Sequence, residues 1–134
     1  MSIVTSENIL NDKDQESEVL SDIDKAINKP ELVKKGHLYF IADSLIEPTK
    51  EKMRTILRIA GKHGHDCLVL GAFGCGAFAN PPNHVACLFK DVFSESEFQG
   101  FYKQVVFAIL DDHNSRKEHN PNGNVQPFVE VFGE

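Results

Sequence analysis

The sequence predicts a single α/β domain of 134 residues. Two continuous apolar runs, residues 67–70 and 105–110, are typical of strands that are buried on both faces. Each run follows a segment with apolar residues at three- and four-residue spacing, which indicates an amphipathic helix. Helix, strand, loop, helix and strand in this order favour parallel strands joined by helical crossovers.

The N-terminal third of the chain is less regular. Residues 2–6 predict a short strand, whereas residues 7–36 form a polar and initially acidic segment that we expect to be poorly ordered. Residues 37–42 fit either a short strand or the first turns of a helix, and both readings stay open.

The helices can be placed from their apolar stripes and their glycines. A first helix is predicted to begin at Pro48 and to end at Gly61 and Gly64. A second helical stripe covers residues 85–92, and the spacing of aromatic residues predicts another short helix at 98–102.

Composition limits the classes of partner. Hydrophobic residues make up 41% of the chain and charged residues 25%, which is ordinary for a folded domain. A net charge of -6 argues against direct binding of nucleic acid or of an anionic membrane, because both require clustered Lys and Arg. No export signal is visible, so we expect a cytoplasmic or nuclear location.

Cysteine and histidine spacing predicts neither a metal site nor a cofactor. The 3 cysteines are an odd number without a CxxC pair, so reduced thiols are expected. The histidines form no metal-binding grouping. His63, His65 and Cys67 would share one face only if they lay on an extended strand.

A glycine-rich loop follows the first apolar run. Gly71, Gly74 and Gly76 lie at the carboxyl end of a predicted strand, where open α/β sheets bind ligands. Glycines allow positive φ angles, and consecutive N–H groups can then surround an anion. Asn80 or Asn83 can cap the helix that follows. The alternative is a tight turn in which the glycines only permit close packing.

The amino-acid sequence of this loop resembles that of a known family. Residues 68–82 read Leu-Val-Leu-Gly-Ala-Phe-Gly-Cys-Gly-Ala-Phe-Ala-Asn-Pro-Pro. They are similar to the diphosphate-binding loop and the following helix of microbial-type poly(ADP-ribose) glycohydrolases. Residues 105–109 resemble that family's last core strand, residues 119–128 its C-terminal tail, and residues 3–6 a middle strand. The good match covers residues 49–132 and implies a partial macrodomain-like three-layer fold that lacks the N-terminal part of the family domain.

The resemblance implies that the chain binds ADP-ribose or an ADP-ribosylated protein. On this interpretation the diphosphate accepts hydrogen bonds from the backbone N–H groups of Gly74, Cys75, Gly76, Ala77 and Phe78. Phe78 packs beside the distal ribose, and Asn80 shapes the loop and caps the helix. Phe107 and Ala108 line the adenosine side. The ligand-binding residues that it implies are Gly71, Gly74, Cys75, Gly76, Ala77, Phe78, Asn80 and Phe107.

The family's catalytic signature is absent from this sequence. In the family, a Gly-Gly-Gly segment followed by Gln-Glu-Glu supplies the general acid, and this chain has no triple glycine. Its nearest acidic string, Gln-Glu-Ser-Glu at 15–18, is interpreted as a solvated loop. We therefore predict no catalytic residue and expect ADP-ribose binding without independent hydrolysis.

Two alternative functions stay open at this stage. The chain is either a fragment or one half of an active glycohydrolase, or a degenerate protein-interaction module. Missing sheet strands would leave a hydrophobic edge uncovered, so self-association or a partner chain that covers this edge is a further hypothesis.

Three other side chains have two readings each. Cys75 lies near a helix start, where a thiol can become nucleophilic, but a small residue filling the loop is the preferred interpretation. Asp111 and Asp112 follow the second apolar run, and they can either reach a ribose hydroxyl or close the end of the sheet.

Overall fold

The computed structural model describes residues 2–5 and 29–133. These residues form five strands and three helices. The strands are β1 (Ser2–Thr5), β2 (Leu32–Lys35), β3 (Leu38–Ile41), β4 (Cys67–Leu70) and β5 (Gln104–Ile109). The helices are α1 (Asp43–Lys62), α2 (Pro82–Phe93) and α3 (Val125–Phe132). The acidic string at 15–18 and most of the polar segment at 7–36 lie outside the described residues.

The main sheet is parallel, as the order of elements predicted. Its strand order is β1-β5-β4, with Ser2 opposite Val106 and Cys67 opposite Gln104. The predicted α/β class is confirmed. Strand β1, which resembles a middle strand of the family domain, lies at one edge of the sheet among the described residues.

A separate antiparallel hairpin answers the question that the sequence left open at 37–42. Strands β2 and β3 pair with Lys35 opposite Leu38, and the tight turn between them contains Gly36 at φ 65°. Such a left-handed angle is readily adopted by glycine. Residues 38–41 are therefore a strand, and the helix begins only after them.

Two helix predictions need correction. Helix α1 begins at Asp43, so Pro48 lies inside the helix and does not start it. Burial of apolar residues in the first turns outweighs the hydrogen bond that proline cannot donate. Residues 98–102 form successive turns and not a helix. The Phe98 and Phe101 N–H groups each donate to a carbonyl three residues back, and Gly100 has a φ of 73°.

The sheet is covered on one face only among the described residues. In β4, Leu68 is buried, but the next residue, Val69, is 73% exposed. Strand β5 alternates in the same way, with Phe107 buried and Ala108 exposed. The prediction that both strands are buried on both faces is wrong here, because helices pack against the Leu68 and Phe107 face alone.

Aromatic rings fill the core between the sheet and its helices. The Phe107 ring lies 5.5 Å from Phe89 of α2, and 5.0 Å and 4.9 Å from Phe128 and Phe132 of α3. Helix α1 contributes fully buried side chains such as Leu57 to the same core. This packing fixes α2 against the carboxyl end of β4, where the glycine loop lies. No helix in residues 29–133 is long and apolar enough to cross a membrane.

Candidate ligand-binding site

The loop between β4 and α2 consists of two consecutive turns. The Cys75 N–H donates to the Ala72 carbonyl at 3.0 Å, and the Ala79 N–H donates to the Gly76 carbonyl at 3.0 Å. Gly74 has a φ of 68°, and a Cβ added there would lie 2.4 Å from Nδ2 of Asn80. The first turn therefore requires glycine at this position for two independent reasons.

Three successive carbonyl groups, those of residues 74–76, are held by donors from the protein. The Gly74 carbonyl accepts from the Asn80 backbone N–H at 2.9 Å and from Asn80 Nδ2 at 3.0 Å. The Cys75 carbonyl accepts from His119 Nε2 at 2.7 Å and from Asn120 Nδ2 at 3.4 Å. The Gly76 carbonyl accepts from Ala79. The carbonyl side of the loop is thus occupied.

Two of these peptide groups carry an unpaired donor on their opposite side, and the peptide group that follows them carries a third. In a trans peptide the C=O and the following N–H point in opposite directions, and none of the described peptide bonds is cis. The N–H groups of Gly76, Ala77 and Phe78 have no acceptor within the described part of the chain. Consecutive N–H groups that lack an acceptor are able to bind an anion when they point to one side of the chain.

A cleft of about 350 Å³ is lined by Gly76 and Ala77, two of the three residues that carry these donors. Its lining comes from the glycine loop, from the β2–β3 hairpin, from residues 29 and 30 that precede the hairpin, and from the segment after β5. The lining residues are Lys29, Pro30, Leu32, Tyr39, Gly76, Ala77, Ala79, Asn114, Lys117, Glu118 and His119. The Tyr39 hydroxyl donates to the Glu118 carboxylate, which raises the pKa of Tyr39 and joins the hairpin to the segment after β5.

The cleft is more positive than the protein as a whole. Two lysines, Lys29 and Lys117, line it together with one carboxylate, Glu118, in a chain of net charge -6. Burial lowers the pKa of His119, so its ring is neutral at neutral pH. Because Nε2 faces a carbonyl oxygen, Nε2 carries the ring proton. The local charge and the N–H donors both favour an anionic ligand.

Cys75 is a structural residue of the loop. It has no exposed surface, and burial raises the pKa of its thiol. This is the opposite of the shift that a nucleophilic cysteine needs, so the preferred interpretation as a loop-filling side chain fits the structure. Its N–H, which the resemblance assigned to a diphosphate, already donates to Ala72 and is not available. All three cysteines are free thiols.

The structure places the other predicted loop residues as follows. Gly76 and Ala77 line the cleft, and Phe78 is 55% exposed. Gly71 lies at the exposed start of the loop without a left-handed φ, and a Cβ there would meet only a carbonyl oxygen at 3.9 Å. Asn80 shapes the loop through Gly74 but does not cap the helix. The N-cap residue is Pro81, and no side chain caps α2.

Phe107 needs a correction. Its side chain has no exposed surface and lies within the aromatic core, so it does not line a ligand site in this structure. Its neighbour Ala108 is exposed, because alternation along β5 turns it to the other face of the sheet.

The aspartates after β5 organise the segment that follows. Asp111 Oδ1 accepts from the Asn124 N–H at 2.6 Å and from Ser115 Oγ at 3.0 Å, and Asp112 Oδ1 accepts from the Asn114 N–H at 2.9 Å. The structure therefore favours closure of the sheet end over a role at a ribose hydroxyl.

His119 and Asn120 are the site residues that sequence reasoning did not identify. Both are buried, with exposures of 7% and 1%, and both contact the Cys75 carbonyl. Their position in the resembling tail segment was the only available signal, because a polar residue does not reveal its burial in the sequence. No group of His, Cys, Asp or Glu in residues 29–133 is arranged to hold a metal ion, and His63 and His65 are exposed.

Comparison with solved structures places this geometry in a known fold. A poly(ADP-ribose) glycohydrolase from Deinococcus radiodurans in complex with ADP-ribose matches 67% of the chain with 33% identity and a TM-score of 0.55. The same enzyme from Thermomonospora curvata, bound to the inhibitor ADP-HPD, matches 68% of the chain with 32% identity and a TM-score of 0.57. The predicted resemblance and the macrodomain-like α/β fold are confirmed.

The match is partial with respect to these enzymes. The chain covers 34% of the Deinococcus protein and 32% of the Thermomonospora protein, so it spans about a third of their length. No protein-family model matches the sequence, and no curated protein matches it.

Proposed function

Starting from a chain that shares its fold with the microbial poly(ADP-ribose) glycohydrolases, we propose that it binds ADP-ribose through the glycine loop. The observation that carries this proposal is the run of unpaired N–H groups at Gly76, Ala77 and Phe78 beside the cleft. The diphosphate accepts hydrogen bonds from these donors, and Lys29 and Lys117 add positive charge. Charge-assisted hydrogen bonds of this type are stronger than neutral ones.

Phe78 supports the same placement of the ligand. A large aromatic side chain that is 55% exposed next to the donors offers an apolar surface for a sugar ring. We therefore place the distal ribose beside Phe78 and the diphosphate over the donors. The relative from Deinococcus radiodurans, which is in complex with ADP-ribose, supports this class of ligand.

Calorimetric titration with ADP-ribose tests the proposal directly, with AMP as the control ligand. We expect ADP-ribose to bind and AMP not to reproduce this binding. AMP has one phosphate group in place of a diphosphate, so it cannot contact all three donors. Gly76→Val should abolish this binding while the protein stays folded, since the new side chain would project from the peptide that carries one of the donors. ADP-ribose affinity equal to that of the original protein in the folded variant would refute the site.

A pair of lysine variants separates local from general electrostatics. Lys29→Gln removes a charge that lines the cleft, whereas Lys62→Gln removes one from the exposed end of α1, away from the cleft. We expect weaker ADP-ribose binding for the first variant and unchanged binding for the second. Equal effects would mean that the cleft is not the binding site.

We infer further that this chain does not hydrolyse poly(ADP-ribose) by itself. Glu118 is the only carboxylate that lines the cleft among the described residues, and it is engaged by the Tyr39 hydroxyl. The sequence lacks the glycine and glutamate segment that the resemblance associates with the general acid. A chromatographic assay for released ADP-ribose is expected to show none. Release that Glu118→Gln abolishes would overturn this inference and favour an active hydrolase.

A role in protein interaction is the second candidate, and the uncovered face of the sheet favours it. Cys67, Val69 and Ala108 are exposed on this face, and Val69 has 73% of its surface exposed. We propose that a second copy of the chain or a partner chain covers it. Analytical ultracentrifugation of the protein and of Val69→Lys decides this. A monomer at all concentrations in both samples would argue against self-association.

A further inference from the structure

We propose that His119 is a positioning residue that locks the Cys75–Gly76 peptide in the orientation that presents the Gly76 N–H to the ligand. The proposal rests on the proposed ADP-ribose site. It adds that a residue outside the loop fixes the orientation of one of the N–H donors. The observation behind it is the hydrogen bond of 2.7 Å from His119 Nε2 to the Cys75 carbonyl.

His119 is the principal donor to this carbonyl. Asn120 Nδ2 lies 3.4 Å from the same oxygen, but it lies 2.8 Å from the Asn114 carbonyl and 2.8 Å from Asn124 Oδ1. An amide nitrogen has two hydrogens, and these two shorter contacts use both. The orientation of the Cys75 carbonyl therefore depends mainly on His119.

The neighbouring carbonyls do not need such a partner. Gly74 and Gly76 are held by Asn80 and Ala79, which belong to the loop itself. Of the three held carbonyls, that of Cys75 alone depends on the segment after β5 in the described structure. The loop can therefore keep its two turns while this one peptide group changes its orientation.

A rotation of this peptide group would reverse its effect on an anion. Glycine at 76 has few steric restrictions, so it can follow a rotation of the preceding peptide plane at low cost. The rotated group would turn the Cys75 carbonyl oxygen toward the diphosphate and the Gly76 N–H away from it. An attractive contact would become a repulsive one, and the His119 bond prevents this.

The segment that carries His119 is itself firmly held. Asn120 Oδ1 accepts from the Lys117 N–H at 2.8 Å, and Asn120 Nδ2 joins residues 114 and 124. Only 7% of the surface of His119 is exposed to solvent. A donor fixed in this way defines one orientation of the carbonyl that it contacts.

A matched pair of variants tests the lock. His119→Gln keeps an N–H donor on a side chain of similar reach, whereas His119→Met has the same length as the Gln variant but no donor. We expect ADP-ribose affinity to fall about tenfold or more in the Met variant, as for loss of one hydrogen bond to a charged group, and by less than about threefold in the Gln variant. Equal affinities in two folded variants would overturn the proposal.

A second measurement decides the lock without any ligand. The nuclear Overhauser effect between Cys75 Hα and the Gly76 amide proton, measured by NMR, reports the orientation of the peptide group, because rotation of the peptide plane changes the distance between these two protons. It should be the same in the original protein and in His119→Gln, and altered or broadened by exchange in His119→Met. An unchanged effect in the Met variant refutes the lock even if ADP-ribose binds. Absence of ADP-ribose binding by the original protein refutes the proposed function and leaves the NMR result to decide the lock.

Discussion

Replacement of Gly74 by alanine is the sharpest test of how the loop is built. The φ of 68° is a left-handed conformation that costs an L-residue about 1 to 2 kcal/mol. In addition, the new Cβ would lie 2.4 Å from Asn80 Nδ2, so the Asn80 side chain must move and give up its bond to the Gly74 carbonyl. Loss of that bond adds about 1 kcal/mol.

The expected total is a loss of about 2 to 3 kcal/mol in the free energy of unfolding. For a domain of this size it corresponds to a fall of about 8 to 12 °C in Tm. Urea unfolding followed by circular dichroism gives the free energy, and calorimetry gives the Tm. Gly100→Ala is the matched control, because Gly100 has a φ of 73° but open space around its Cβ.

Asn80→Ala completes a double-mutant cycle for this test. Without the Asn80 amide, alanine at 74 meets only the Cβ of residue 80, at 3.9 Å, which is an ordinary contact. Gly74→Ala should then cost no more than Gly100→Ala, and the cycle should show a coupling of about 1 kcal/mol. A cost for Gly74→Ala that equals that of the Gly100 control in the original background would refute the reasoning.

Three further outcomes follow from the described contacts. His84 Nδ1 accepts the Ile41 N–H at 2.9 Å, and burial, followed by the charge of Lys35, lowers its pKa. Because the folded state then binds a proton less readily than the unfolded state, stability should be full above about pH 6.5 and fall as the pH drops below it. His84→Asn, whose Oδ1 can accept the same bond, should show a flatter pH dependence in thermal unfolding, and an unchanged slope would contradict the assignment. Phe107→Leu should lower stability by about 1 kcal/mol or more without changing the ADP-ribose affinity of the folded protein, whereas a large selective loss of affinity would return this residue to the ligand site. Cys75 should react with a thiol reagent far more slowly than the two exposed cysteines under native conditions, and equal rates would show that the loop opens readily.

The sequence was informative wherever the pattern was local. Continuous apolar residues predicted β4 and β5, and a stripe at helical spacing predicted α2. The glycines and the quoted loop string identified the fold to which the chain is related, and they indicate the position of the site that we propose. These features depend on residues that are neighbours in the chain, so one sequence is sufficient to find them.

Features that depend on distant contacts were missed. Proline favours the first turn of a helix, so the sequence predicts a helix start at Pro48, but packing of the preceding turns extends α1 back to Asp43. Phe107 was assigned to the ligand, although three aromatic rings from two helices enclose it. The contact of His119 with the loop could not be predicted from the sequence, because its partner is a carbonyl 44 residues away along the chain.

The position of β5 between β1 and β4 governs the order in which this fold can assemble. A ribosome makes Ser2–Thr5 long before Gln104–Ile109, the strand with which it pairs. Strand β4 also pairs with β5, so it too has no partner until β5 is made. The nascent chain therefore carries two strands with unpaired backbone edges, which invite aggregation or chaperone binding until β5 arrives. Any premature stop before residue 104 removes β5, and β1 and β4 then lose the strand with which each pairs in the described structure.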